Sequence, residues 1–295
     1  MITTSIFIFI LGTIIGSFLN VVILRLGTGR LFKGISFKDK TKQDRSICFS
    51  CGKTLKWYEL IPVLSFFFQK GRCAKCYSKI SWQYPIVELV TGAMFVIVFK
   101  YFFEILGFNN YEMIINVASY WAIFSILIVI AFYDYRHRII PNGPVWSFIL
   151  ISLVINIYNL AITSYFFGGI NYLGVIDVLL GVAVTAGPLF LIWLFSKGRL
   201  MGFGDVKIAL GMGILLGFSY GLSALVLSFW IGASVGLIAI IVSSLKTKIL
   251  KTYQVKTQSV TIKSEIPFGP FLIIATFLVF MFNIDLITLF SWMKF

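Results

Sequence analysis

The sequence predicts an all-α polytopic membrane protein with about eight transmembrane helices and one small polar insert. Composition, the recurrence of apolar runs of bilayer length and the one-sided placement of basic residues carry that expectation. Of 295 residues, 59% are hydrophobic and 12% are charged, and the mean hydropathy is +0.96. A soluble domain carries about 25% charged residues. Half that share leaves too little polar surface to cover a globule, so lipid must be part of the solvent.

A helix needs about 20 apolar residues to cross a bilayer. Runs of that kind recur at 6–24, 84–103, 113–132, 144–162, 173–195, 208–218, 223–245 and 268–282. They lack the alternation of barrel strands, and backbone groups in lipid must be satisfied within each segment, so helices are expected. The sixth run is short and glycine-rich (GMGILLG). The first has no basic residues before it and contains Asn20, which predicts a retained helix and not a cleaved signal.

The net charge of +14 invites a nucleic-acid reading, but its distribution points elsewhere. With the N-terminus outside, 23 of the 25 Lys and Arg fall on the inner side, 13 of them between Arg25 and Lys79. That is the positive-inside pattern. The basicity therefore predicts topology and contact with membrane lipid, and no nucleic-acid partner.

Residues 27–83 break the apolar pattern and hold all four cysteines. The expected organisation is a first helix (1–26), a cytoplasmic insert (27–83) and a seven-helix membrane body (84–295). A second polar loop, 246–265, alternates Thr, Val and Ile and could form a hairpin or stay loosely ordered. Cys48 and Cys51 form one C-x2-C pair, and Cys73 and Cys76 another after 21 intervening residues. Two such knuckles complete a tetrahedral four-sulfur site, the pattern of structural zinc. Two disulfides are the alternative, and a cytoplasmic location, where thiols stay reduced, disfavours them. A closed four-ligand site would staple the loop and do no chemistry of its own.

Only eleven residues are acidic, and Glu88, Asp134 and Asp205 are the three that fall at span ends on the inner side. Ionisable groups at membrane depth are costly and usually functional. Asp134 (AFYDYRHRIIPN) closes the third run, and Asp205 (MGFGDVK) opens the sixth, so span parity puts both on one face at similar depth. Two converging carboxylates share one proton. One can activate water while the other protonates a leaving group, and the pair titrates as a unit. Taken alone, either Asp could be a helix cap or the partner of a nearby cation. His137, the single histidine, has no Ser or Cys partner signature and reads as an interfacial polar residue.

In order and spacing, these motifs resemble the type IV prepilin peptidases (leader peptidase/N-methyltransferases, GxGD-type aspartyl peptidases) over nearly the whole chain. The matching stretches are GSFLNVVILRL (16–26), the four-cysteine insert with KWYELIPVLSF (56–66), ISWQYPIVEL (80–89), DYRHRIIPN (134–142) and GFGDVK (202–207). The resemblance implies an enzyme of the bacterial cytoplasmic membrane that removes the basic leader from prepilins or pseudopilins at the cytoplasmic face. It implies Asp134 and Asp205 as catalytic residues and Cys48, Cys51, Cys73 and Cys76 as zinc ligands. It also implies methylation of the new N-terminus with S-adenosylmethionine, for which the residues show no glycine-rich nucleotide loop. Glu88 is the candidate for contact with substrate or methyl donor, with a structural partnership as the alternative. Asn142 departs from the Asp that many members carry after the proline, and 29–42 is longer or more basic than expected. A proton-coupled transporter and a non-catalytic assembly scaffold are the competing readings. A transporter lacks its inverted repeat and midplane carboxylates here.

Overall fold

The computed structural model describes residues 2–26, 46–107, 111–167, 171–251, 267–286 and 288, without the side chains of 166–167 and 244–251. The stretch 29–42 and most of the 246–265 loop lie outside the described residues. Among the described residues the protein is all-helical, as expected. Its helices are α1 (Ile2–Leu26), α2 (Leu64–Phe68), α3 (Gln83–Leu106), α4 (Tyr111–His137), α5 (Asn142–Phe167), α6 (Tyr172–Ser196), α7 (Phe203–Lys251) and α8 (Gly269–Phe282). A 3₁₀ turn at Trp57–Leu60 precedes α2. Among the described residues, six helices are long and apolar enough to cross a membrane, which makes the chain a multi-pass membrane protein.

The chain divides into two compact units, Met1–Phe132 and Tyr133–Phe295. In unit one, α1 and α3 run antiparallel at a separation that only glycines permit. A Cβ on Gly12 would lie 2.8 Å from the Gly92 Cα, and one on Gly16 would lie 2.8 Å from the Glu88 Cα. Small residues that let backbones approach are what holds helices together where lipid removes the hydrophobic drive. Asn20 donates its side-chain amide to the Tyr84 carbonyl at 3.1 Å. The Trp121 indole N–H of α4 donates to the Phe95 carbonyl at 3.0 Å, and the two rings stack at 4.5 Å.

Unit two is organised by α7. Its 49 residues would reach more than twice the hydrocarbon thickness of about 30 Å at about 1.5 Å per residue. The helix is interrupted at Gly217 (φ 73°, ψ −165°), a conformation open essentially to glycine. The neighbours on either side show that the chain reverses there. Gly204, 13 residues before Gly217, packs on Ile140. Phe229 and Gly232, 12 and 15 residues after it, pack on Phe268 and Phe271 at the start of α8, and Ile140 also reaches Gly269 there. Both halves of α7 therefore have a residue at the level of α8's first turn. This accounts for the separate runs 208–218 and 223–245, and the helical backbone continues through Lys251, into what the sequence read as loop.

α6 packs on the first half of α7 through glycines. A Cβ on Gly213 would lie 2.7 Å from the Gly181 carbonyl oxygen, and the Thr185 hydroxyl donates to the carbonyls of Gly181 and Ala209 at 2.8 and 2.9 Å. α5 runs parallel to that half, with Phe148 against Gly211 and the Asn156 amide donating to the Ile214 carbonyl at 2.9 Å. α5, the first half of α7 and α8 thus begin on one face, where α4 ends.

Candidate active site and metal cluster

Asp134 lies in the last turn of α4, and its carbonyl accepts the Arg138 N–H at 2.7 Å. Arg138 is left-handed (φ 55°), which turns the chain out of the helix and sends Ile140 back toward the body. Asp205 lies in the first turn of α7, where its N–H meets the Gly202 carbonyl at 3.2 Å. Carboxylates favour that end of a helix, where unpaired N–H groups concentrate.

The two carboxylates belong to one site. Ile140 connects them: it contacts Gly204, next to Asp205, where a Cβ would lie 2.7 Å from its own Cβ. It also contacts Gly269, where a Cβ would lie 3.5 Å from its Cδ1 and 2.7 Å from Asp134 Oδ2. The aspartates are close enough for the charge on one to bear on the other. Both are buried, at 4% and 7% exposure. Asp134 Oδ2 and Asp205 Oδ1 have no hydrogen-bond partner, and among the described residues neither carboxylate is paired with a cation. A buried carboxylate is normally hydrogen-bonded or ion-paired. No ion pair among the described residues accounts for these two oxygens. Such a pair can hold one proton between them and exchange it with a substrate.

Lys207 donates to Asn142 Oδ1 at 2.9 Å and lies 5.2 Å over the Phe203 ring. Asn142, the position that departs from the usual pattern, thus joins the first turns of α5 and α7. His137 is exposed and lies 4.5 Å from the Tyr133 ring, an interfacial packing role.

Sequence reasoning missed Gly269. The signal was there, since Gly269 stands between Pro267 and Pro270, and proline in a first turn marks a helix start. What that glycine faces is invisible without the fold.

In unit one, the four cysteines are free thiols, and their sulfurs all lie within 4.8 Å of one another. The Cys48 and Cys76 sulfurs are 3.8 Å apart. Metal–sulfur distances of about 2.3 Å in a tetrahedron imply sulfur–sulfur edges of about 3.8 Å, so the donor set fits a metal ion. Each pair forms a tight turn: the Gly52 N–H meets the Cys48 carbonyl at 2.9 Å and the Tyr77 N–H meets the Cys73 carbonyl at 3.0 Å. The Cys51 and Ser50 N–H groups hold the Cys48 thiol down at about 6, which favours the thiolate that binds metal. Beneath the cluster, Glu59 is buried and accepts from Lys53 Nζ at 2.7 Å and from the Lys56 N–H at 2.8 Å. The Lys53 hydrogen bond holds its carboxyl below the usual range.

Glu88 belongs to unit one. Its carboxylate accepts the Val63 N–H at 2.7 Å and is also within reach of the Ser17 hydroxyl. Among the described residues its partners are thus a backbone amide and a hydroxyl.

Comparison with known proteins follows the same division. Residues 10–102 match the Bacterial Peptidase A24 N-terminal domain, and residues 121–237 match the Type IV leader peptidase family. The first range contains the cysteine cluster and Glu88, the second both aspartates, and α8 lies beyond either. A prepilin leader peptidase/N-methyltransferase of Vibrio cholerae is 29% identical over 206 residues, 69% of this chain and 74% of that protein. One of Xanthomonas campestris is 28% identical over 296 residues, 94% of this chain and 91% of that protein. One of Myxococcus xanthus is 37% identical over 137 residues, 46% of this chain and 36% of that protein. No solved structure matches. With both of its parts recognised in their proper order, the chain belongs to the type IV leader peptidase family.

Proposed function

We propose that the protein cleaves the basic leader from prepilins or pseudopilins at the cytoplasmic face of the bacterial inner membrane, using Asp134 and Asp205. The observation that carries this is the pair of buried carboxylates at the end of α4 and the start of α7, unpaired with any cation among the described residues. One carboxylate takes a proton from water as its oxygen bonds to the peptide carbonyl carbon. The other, protonated, gives its proton to the amine as the C–N bond breaks. The shared proton returns to the pair, which is ready for a second turnover. Gly202 beside Asp205, with no atom nearer than 3.8 Å to where its Cβ would be, leaves room for an extended peptide backbone, while Gly204 is closed by Ile140. The 23 inward basic residues support an outer N-terminus and an inner site and insert.

Cys48, Cys51, Cys73 and Cys76 would hold a zinc ion, which supplies a four-thiolate staple for the insert and no open coordination position. The relatives' name supports methylation of the new N-terminus with S-adenosylmethionine. The described residues contain no glycine-rich nucleotide loop, and Glu88 is the candidate for contact with substrate or that donor. Glu88 contributes to that half by holding the insert to α3 through Val63.

The test incubates membranes carrying wild type, Asp134→Asn or Asp205→Asn with a prepilin and reads its N-terminus by mass spectrometry. Each variant is expected to slow leader removal by about 100-fold or more, the usual contribution of a general acid or base. Unchanged cleavage in either variant removes that residue from the mechanism. A transporter or scaffold would leave cleavage absent in all three. Adding S-adenosylmethionine to the wild type tests methylation separately, through the mass of one methyl group.

A further inference from the structure

The insert of unit one leaves an apolar stripe uncovered. Leu64, Phe67 and Phe68 stand at i, i+3 and i+4 of α2, one face of a helix, and are 54%, 56% and 83% exposed. Phe66 points the other way, buried 4.9 Å from the Trp82 ring and against Gly71. The stripe therefore faces away from the insert's own core.

The depth of that stripe follows from its anchor. Val63, which precedes α2, donates its N–H to Glu88 at 2.7 Å. It is itself left-handed (φ 61°) and closes a three-residue turn in which the Leu64 N–H meets the Pro62 carbonyl at 2.6 Å. Such a turn is rare and strained. Glu88 lies five residues beyond Gln83, the first residue of α3, about 7.5 Å along the axis. α3 has 24 residues, about 36 Å against a hydrocarbon core of about 30 Å, so the span has about 3 Å to spare at each end. The turn that opens α2 therefore sits below the end of α3, where headgroups meet acyl chains. Trp82, one residue before α3, is 63% exposed, and amphipathic rings favour that level.

The charge of the insert matches the same surface. Residues 46–82 carry Lys53, Lys56, Lys70, Arg72, Lys75 and Lys79 against Glu59, which is paired with Lys53 at 2.7 Å. The other five basic residues are exposed. We propose that the four-cysteine insert docks on the anionic face of the membrane, with Leu64, Phe67, Phe68 and Trp82 entering the headgroup–acyl boundary and the basic residues drawing it to lipid phosphates. Exposed apolar area and attraction to anionic lipid together set such binding. The metal cluster then works against the bilayer surface, and the insert does not project into the cytosol.

The test uses full-length protein in proteoliposomes of phosphatidylglycerol and phosphatidylcholine, with and without bromine on the upper acyl chain. Tryptophan emission is read as the difference between Phe68→Trp and wild type, with Phe67→Trp as a second reporter on the same stripe. With no peptide present, both are expected to emit blue-shifted from water and to be quenched about two-fold or more by brominated lipid, with weaker quenching in phosphatidylcholine alone. Water-like, unquenched emission from either reporter overturns the proposal. Quenching that appears only after an apolar pilin-like peptide is added assigns the surface to the peptide and also overturns it. Equal quenching in both lipids overturns the anionic part.

Discussion

The Asp134 carboxylate faces a glycine 135 residues further along the chain, Gly269. Pro270 has no N–H, and the Phe271 and Leu272 N–H groups both go to the Phe268 carbonyl, at 3.0 and 3.3 Å. Gly269 thus supplies the first-turn donor of α8 that remains, and it faces the Asp134 carboxylate. A Cβ at Gly269 would lie 2.7 Å from Asp134 Oδ2, so Gly269→Ala must move one or the other. Misplacing a reacting group by about 1 Å costs up to about 100-fold in rate. Initial rates of leader cleavage are expected to show kcat falling about 10-fold or more with KM changing much less. Gly232→Ala presses on Phe271 of the same helix, away from Asp134, and serves as the control for a mere shift of α8. Equal losses in the two variants would show that packing, and not the carboxylate, is what Gly269 serves. Asp134 and Asp205 themselves were legible in the sequence, because a carboxylate at a span end is conspicuous there. Gly269 was not, because its meaning lies in a contact between distant segments.

Among the elements, α7 shows how one residue redirects a span. Its reversal at Gly217 combines a positive φ with the Asp177 carboxylate, which accepts the Phe218 N–H at 3.2 Å and so caps the returning half. A side chain at Gly217 would be strained in that conformation and would collide with Asp177. Gly217→Ala is expected to cost about 1–3 kcal/mol, seen as a lower Tm for the purified protein in detergent. An unchanged Tm would mean the turn tolerates a side chain by rearranging. From the sequence, two runs separated by SYGL were enough to count two spans. That they join through a single residue was not legible, since hydropathy reports burial in lipid and says nothing of backbone dihedrals. The insert shows the converse. Four cysteines at C-x2-C spacing announce a cluster, and the structure brings their sulfurs together.

For the whole molecule, the four cysteines and the two aspartates fall in different units of the chain. The metal cluster belongs to Met1–Phe132, and the aspartates belong to Tyr133–Phe295. Metal removal is therefore expected to act unequally. A strong chelator should release zinc, measured by elemental analysis, and should open the insert to limited proteolysis after Lys56, Lys70 and Lys75. Leader cleavage should persist at more than about half its rate, because a closed four-ligand metal is structural. Methylation of a pre-cleaved pilin should fall with the metal content. Equal loss of both activities would place the insert within the peptidase site.

The sequence by itself determined the helical membrane class and the four-cysteine cluster, and it singled out Asp134 and Asp205 as candidates. Each of these is written in a local property: hydropathy over a span's length, charge beside it, or the spacing of a few ligands. Only the tertiary structure decided that Ile140 bridges Gly204 and Gly269, that α8 brings its first turn to Asp134, that α7 doubles back at Gly217, and that Glu88 holds Val63. These are close approaches between segments far apart in the chain. They are set by which small residues let helices touch and which N–H groups remain unpaired, and no single stretch of sequence contains both sides of such a contact.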